Sequence, residues 1–149
     1  MILASLVSQT QDNVGMKKIC DIKLTLPPRE LQPNSRPHWR AKAKAVSSYR
    51  SQSRDLASPW ATGEPVETAV VCIGYANKTA RLIDPDNIIA AMKSAIDGIN
   101  DAGIITDDNQ LIYLTPKRWK CAEDPHVRIV LKQPTETELA ELEALFEME

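Results

Sequence analysis

The stretch DPDNIIAAMKSAIDGINDAGIITDD, residues 84–108, has acidic residues at both ends of an apolar run. Asp84 and Asp86 stand at its beginning, and the acidic pair at 107–108 closes it. The apolar side chains between them repeat about every 3.6 residues, the spacing of one helix face; they are Ile88, Ile89, Met92, Ile96 and Ile99. The sequence therefore predicts one amphipathic helix from about Asp86 to Asn100, with carboxylates near both of its ends.

The segments around this helix alternate between strand and helix patterns. Alternating or β-branched apolar runs predict strands, and an alanine-rich basic run predicts a first helix. The predicted elements are a strand at 18–26, a helix from His38 to about Leu56, a strand at 66–76, a strand at 111–120 interrupted by Pro116, and a strand at 126–132 that pairs with it as a hairpin. This order, in 149 residues, predicts an α/β fold: a single small domain with a mixed four-stranded sheet and two to three helices.

The two ends of the chain differ from its centre. Residues 1–15 are polar and without a periodic pattern, so we expect a flexible N-terminal extension before a domain at 16–134. Residues 135–149 contain six glutamates and no basic residue. They predict an acidic C-terminal helix, capped by Thr135 or Thr137 and with Leu139, Leu142, Leu145 and Phe146 on one face.

The net charge of −2 conceals a strong segregation of charge along the chain. Between Arg29 and Arg54, seven basic residues stand against a single acid, Glu30. The acidic tail offsets this basic segment in the sum. Because a phosphate backbone meets a local patch and not the whole-chain average, nucleic acid remains a candidate partner.

Cysteine usage and hydropathy limit the class of protein. Cys20, Cys72 and Cys121 lie far apart and form no CxxC pair, so neither a zinc knuckle nor a disulfide framework is indicated. The first 15 residues lack the basic and apolar regions of a signal peptide, and we find no apolar run of about 18 residues that would cross a membrane. We expect a protein of the reducing cytoplasm that does not insert into membranes.

Asp84 and Asp86 have two interpretations. In the first, one of them caps the helix, with Pro85 in its first turn. In the second, the clustered carboxylates bind a hard divalent cation such as Mg²⁺, which takes oxygen ligands and can assist phosphodiester hydrolysis. The surplus of acids favours the second interpretation, because a cap needs only one carboxylate.

Lys93 and Asp108 each leave alternatives open. Lys93 lies two helical turns after Asp86, where its ammonium could contact a phosphate, but it could equally pair with Asp97 at i+4. A helix from Asp86 to Asn100 spans about 22 Å, and residues 101–108 reach at most about 26–29 Å when extended. Asp108 can therefore share a site with Asp86 in three ways: residues 101–108 run back almost fully extended, the helix is shorter than predicted, or a second subunit supplies Asp108.

The same stretch resembles the RusA-type Holliday junction resolvases of bacteria and their prophages. The matching residues are DPDN at 84–87, Lys93, the pairs at 97–98 and 107–108, and AGI at 102–104. Upstream, NSRPHWRAKAKA at 34–45 resembles the basic loop and helix of phage members. The resemblance covers roughly residues 18–132 and implies a RusA-like fold for the central domain.

The resemblance implies a homodimer that binds four-way DNA junctions and, with Mg²⁺, makes paired symmetric nicks during recombination and repair. By motif position, the metal ligands are Asp84, Asp86 and Asp108, and the catalytic residues are these three with Lys93. No organic cofactor is implied. We expect DNA contacts from eight basic residues: Arg36, His38, Arg40, Lys42, Lys44, Arg81, Lys117 and Arg118.

Other functions are compatible with the same residues. Each basic side chain could instead be a solvated surface charge. Trp39 and Trp119 could stack on unpaired bases, although a buried tryptophan is the more common case. One alternative is a non-catalytic module of the same fold that binds branched DNA, and another is an interaction protein that works through its acidic C-terminal helix.

Overall fold

Five strands form one mixed sheet in the described part of the chain. The computed structural model describes residues 16–107 and 110–147; the predicted extension at 1–15 and Asp108 lie outside them. The strands are β1 (Lys17–Leu24), β2 (Ala69–Asn77), β3 (Leu111–Tyr113), β4 (Lys117–Lys120) and β5 (His126–Gln133). The prediction of an α/β domain with a mixed sheet is confirmed, with one strand more than expected.

The order of the strands differs from the predicted hairpin. Strand β5 lies antiparallel between β1 and β2, while β3 and β4 pair in parallel with successive parts of β2. The predicted hairpin between the last two strands is therefore wrong. The alternating residues Val127, Ile129 and Leu131 are fully buried, which suits the interior of the sheet, whereas all four residues of β4 are exposed, which suits its edge. The buried Pro116 separates β3 from β4, as its missing N–H predicts.

Four α-helices accompany the sheet in the described residues: α1 (Trp39–Ala57), α2 (Pro85–Ala91), α3 (Lys93–Asp101) and α4 (Glu136–Ala144). The single helix predicted from Asp86 to Asn100 is divided at Met92, which has φ −90° and ψ 0°. The Met92 N–H donates to the carbonyl oxygens of both Ile88 (3.2 Å) and Ile89 (3.1 Å). The bond to Ile89 spans three residues, so the backbone forms a tight turn of the 3₁₀ type there. No helix in these ranges combines the length and apolar character that a membrane crossing requires.

The core lies between the helices and one face of the sheet. Ile88, Met92, Ile96 and Ile99 are at most 1% exposed, and Ile89 is half-buried, so the predicted apolar face is confirmed with Ile89 at its margin. Alternate residues of β2 pack against them: Ala69, Val71, Ile73 and Tyr75.

Helices α1 and α3 approach each other closely at Gly98. A Cβ atom on Gly98 would lie 2.8 Å from Ser53 Cβ and 2.9 Å from Arg54 N. The buried Ser53 Oγ donates to the Ala95 carbonyl oxygen at 2.6 Å. This contact fixes α3, which begins with Lys93, against the basic helix α1.

Of the two predicted caps, Thr135 is the one that caps helix α4, and it does so in a capping box with Glu138. Thr135 Oγ1 accepts from the Glu138 N–H at 3.2 Å, and Glu138 Oε1 accepts from the Thr135 N–H at 3.1 Å. Leu142 is buried beside Met16 and Val70. The predicted common apolar face is only partly realised, because Leu145 and Phe146 are 48% and 70% exposed.

Candidate functional site

Asp84 lies at the carboxyl edge of two parallel strands. Helices α2 and α3 form the crossover that leads from β2 to the parallel strand β3. A short loop, residues 78–83, joins Asn77 at the end of β2 to Asp84 at the beginning of α2. Asn77 pairs with Lys120 of β4, so both strands end at this edge. In α/β sheets, ligands bind outside the carboxyl ends of parallel strands.

Two side chains attach the 78–83 loop to this edge. Asn77 Nδ2 donates to the Arg81 carbonyl oxygen at 2.5 Å, and Arg118 donates to the Ile83 carbonyl oxygen at 2.9 Å. Arg118 was predicted only as a DNA contact, and it also positions the residue before Asp84. Asn77 was missed, although asparagine directly after a buried strand is a common turn signal.

The carboxylates of Asp84 and Asp86 both point into solvent. Asp84 is the N-cap residue of α2, yet its side chain makes no capping hydrogen bond. Its backbone carbonyl accepts from the Ile88 N–H at 3.1 Å. Both residues are exposed, and no hydrogen bond or ion pair to either carboxylate occurs within 16–107 and 110–147. The interpretation in which one of these side chains caps the helix is therefore wrong.

Lys93 begins α3 and forms the ion pair that one interpretation predicted. Its Nζ lies 2.8 Å from Asp97 Oδ1, and the Lys93 side chain is 63% exposed. Exposed i,i+4 pairs contribute only about 0.3–0.5 kcal/mol. The ion-pair interpretation is confirmed, and the phosphate role of Lys93 stays a prediction.

Lys93 also lines a cleft of about 290 Å³ between α1 and α3. Its polar lining includes Gln32, Lys42, Ser94 and Asp97. Ser94 is 5% exposed, and its Oγ has no hydrogen-bond partner in the described part of the molecule. Asp84 and Asp86 lie outside the described lining, so the structure does not bring them into the cleft with Lys93.

Asp107 lies at the opposite edge of the sheet from Asp84. The Thr106 N–H donates to the Val66 carbonyl oxygen at 3.0 Å, just before β2 begins. On the other side of Asp107, Gln110 Oε1 accepts from Thr68 Oγ1 at 3.3 Å. The length of β2 separates this edge from Asp84 by roughly 25–30 Å at about 3.3 Å per residue. Within the described ranges, no three His, Cys, Asp or Glu side chains form a group that could hold a metal.

The eight basic residues predicted to contact DNA are all exposed: Arg36, His38, Arg40, Lys42, Lys44, Arg81, Lys117 and Arg118. The first five lie in or just before the beginning of α1, and the other three lie at or near the edge that carries Asp84. His38 has a structural role as well, because its Nδ1 accepts from the Arg40 N–H at 3.2 Å and caps α1.

The tryptophans are more exposed than the common case predicts. Trp39 is 68% exposed and Trp119 is 41% exposed. The Trp119 ring lies over Gly74, where an added Cβ would be 3.0 Å from its Cη2 atom. Burial of Trp39 is excluded, and the base-stacking alternative stays open.

Ion pairs between distant segments hold the scaffold of this site. Arg50 of α1 bonds both carboxylate oxygens of Asp101 at the end of α3, at 2.5 and 2.8 Å, which lowers the pKa of Asp101. On the opposite face of the sheet, hydrogen bonds from Arg128 lower the pKa of Asp21 to about 2. Neither pair was predicted, because the partners are far apart in sequence.

Comparisons with known proteins identify a relative but no activity. No family model matches the chain. An uncharacterized protein of Xylella fastidiosa (strain Temecula1) is 35% identical over 97 residues, which cover 62% of this chain and 63% of that protein. The chain thus spans less than two thirds of the length of this relative.

Proposed function

We propose that the protein is a Mg²⁺-dependent endodeoxyribonuclease that resolves Holliday junctions by paired symmetric nicks, as the resemblance to RusA-type resolvases implies. The observation that carries the proposal is the state of Asp84 and Asp86. Two exposed carboxylates, two residues apart and bonded to no other described group, stand at the carboxyl edge of parallel strands. The fold leaves both of them available to a ligand.

The carboxylates suit Mg²⁺, which proteins commonly bind through one or two carboxylates plus waters and phosphate oxygens. When bound, the ion supplies an activated water and offsets the charge that develops on the phosphate. Asp84 and Asp86 hold it in this proposal, and the bonds from Asn77 and Arg118 to the 78–83 loop fix where Asp84 stands.

Asp108 is the third acid of the proposed site. Asp107 stands at the amino edge of β2, far from Asp84 of the same chain. In the proposed homodimer we therefore expect the Asp84 site to be completed by Asp108 of the partner subunit. Two such sites in one dimer suit two symmetric cuts.

Lys93 and the basic residues bind the substrate in this proposal. Lys93 and Lys42 line one cleft, where two ammonium groups can contact successive phosphates. Arg81, Lys117 and Arg118 supply further positive charge near Asp84. We place the activity in the cytoplasm, because Cys20, Cys72 and Cys121 are all free thiols.

A second candidate function is a non-catalytic module that binds branched DNA. It is favoured by the eight exposed basic residues, which can bind phosphates without any catalytic group. Such a module would retain salt-sensitive junction binding without turnover.

A cleavage assay on a synthetic four-way junction separates the two functions. Purified protein is expected to nick the junction in Mg²⁺, symmetrically in opposing strands, and to leave a linear duplex of the same sequence uncut. Junction binding in EDTA without nicking in Mg²⁺ would establish the non-catalytic module instead.

A further inference from the structure

Trp39 presents an unusually large apolar surface to water. It is 68% exposed, whereas Trp60 and Trp119 are 38% and 41% exposed. An indole contributes much hydrophobic stabilisation when it is covered, at about 25 cal/mol per Å² of apolar surface. Covering this ring would therefore be favourable, and whether the residues around it suit a ligand decides what could cover it.

One basic side chain lies over this ring, and further basic residues are close to it in sequence. The Arg40 guanidinium carbon lies 5.1 Å from the ring centroid, and the His38 ring stacks at 5.7 Å with an interplanar angle of 27°. Arg36, Lys42 and Lys44 are close in sequence and exposed, and the first turn of α1 contains no acidic residue. Because the 68% exposure remains after these contacts, both neighbours together cover only a minor part of the indole.

A shallow groove continues from Trp39 along one stripe of α1. Its volume is about 510 Å³, and the described residues that line it are Trp39, Lys42, Ala43, Val46, Ser47 and Arg50. Lys42 and Val46 also line the cleft that contains Lys93. The groove and the cleft therefore adjoin at Lys42 and Val46, between the indole and Lys93.

We propose that Trp39 stacks on the base of an unpaired nucleotide, whose backbone then passes Lys42 toward Lys93. The proposal deepens the proposed function and rests on it, since it names the part of the DNA that this surface recognises. A basic groove with an aromatic platform is the combination that binds single strands, because every base offers a π-face and every nucleotide a phosphate. In a duplex, pairing and stacking hide that face.

Charge argues against a second copy of the chain as the occupant of this surface. A two-fold contact through Trp39 would bring two identical clusters of Arg36, Arg40, Lys42 and Lys44 together, and like charges repel. A single strand of DNA can instead stack a base on the indole ring and pair its phosphates with the basic side chains.

The test measures DNA binding in EDTA, without turnover, by the full-length protein and its Trp39→Ala and Trp39→Phe variants. The ligands are an oligothymidine single strand, a junction with unpaired nucleotides at its centre, and a blunt duplex. We expect Trp39→Ala to bind the first two ligands about 5- to 150-fold more weakly than wild type and to bind the duplex with little change in affinity. Trp39→Phe, which keeps an aromatic ring, should bind the first two ligands with most of the wild-type affinity. Trp60→Ala is the matched control, because Trp60 is 38% exposed and is not among the described residues that line the groove, and it should bind the single strand like wild type.

A fluorescence measurement checks that the ring itself meets the base. In the variant Trp60→Phe/Trp119→Phe, Trp39 is the one tryptophan left in the sequence, and oligothymidine should quench its selectively excited fluorescence while the duplex should not. The proposal is overturned if Trp39→Ala binds the single strand with wild-type affinity, or if its affinity falls equally for the duplex and the single strand. It is also overturned if the substitution acts by abolishing self-association of the protein. Failure of the proposed nuclease appears separately, as absence of Mg²⁺-dependent nicking by the wild-type protein.

Discussion

Arg118 donates a hydrogen bond from its guanidinium to the carbonyl oxygen of Ile83, 2.9 Å away. This bond joins the exposed edge strand β4 to the residue that precedes Asp84. Since the Asp84 carboxylate makes no hydrogen bond of its own to other described residues, its position depends on backbone contacts of this kind. A surface arginine can therefore control the geometry of the proposed metal site without touching a metal.

Arg118→Gln should reduce cleavage more than binding. We expect the nicking rate in Mg²⁺ to fall about 10- to 100-fold, because a small displacement of a catalytic group is enough for such a loss. Lys117→Gln removes the same charge from the same strand without this hydrogen bond and serves as the control. Both variants should weaken junction binding in EDTA to a similar degree, and equal nicking rates in the two variants would rule out the positioning role.

Mixed dimers should reveal which subunit supplies Asp108. Homodimers of Asp84→Asn and of Asp108→Asn are each expected to be inactive. If the acids of one site come from different subunits, half of the mixed population carries one intact site, which gives about a quarter of wild-type nicking. No recovery after verified subunit exchange would mean that Asp84 and Asp108 act within one chain.

Gly98→Ala should destabilise the fold. The added methyl group would meet Ser53 Cβ and the Arg54 backbone nitrogen at less than 3 Å, and the backbone cannot yield cheaply. Overpacking of this kind costs about 1–3 kcal/mol, which urea unfolding would measure. Ser47→Ala, at an exposed position of α1, should change the free energy of unfolding by less than about 0.5 kcal/mol. An unchanged urea midpoint for Gly98→Ala would show that α1 and α3 are not in close contact.

The ion pair of Asp21 with Arg128 should make stability depend on pH. Hydrogen bonds from Arg128 lower the pKa of Asp21 to about 2, below its usual value of about 3.9. The stabilisation is therefore complete above about pH 5 and is lost as the pH falls toward 2. We expect Asp21→Asn to cost about 1–2 kcal/mol at pH 6, allowing for solvent around Arg128, and much less at pH 2.5. A pH-independent difference in the urea midpoints would contradict this assignment.

The sequence predicted those features that local spacing determines. The buried positions Ile88, Met92, Ile96 and Ile99 followed from helical periodicity, because burial of one helix face imposes that spacing. The cap of α4 was likewise predicted to be Thr135 or Thr137, and the structure selects Thr135, whose partner Glu138 stands three residues later. Asp84 and Asp86 were predicted to bind a cation because a helix cap needs only one carboxylate and two stand there.

Features that depend on residues distant in sequence were not predictable. No proline or glycine marks the break at Met92. The bond from Arg118 to Ile83 joins residues 35 apart, and the pair of Arg50 with Asp101 joins residues 51 apart. The exposure of Trp39 could not be settled from the sequence, because average burial describes tryptophans that pack in a core, whereas this one stands on the basic surface of α1.

The central claim is that Asp84 and Asp86 hold the catalytic metal, and one measurement tests it most directly. Wild type, Asp84→Asn and Asp86→Asn are compared for nicking of a four-way junction in Mg²⁺ and for binding of the same junction in EDTA. We predict that both variants lose nicking by at least about 100-fold while binding stays within about threefold of wild type, because the amide keeps the shape but removes the charge that the cation needs. Wild-type nicking by either variant would contradict the account.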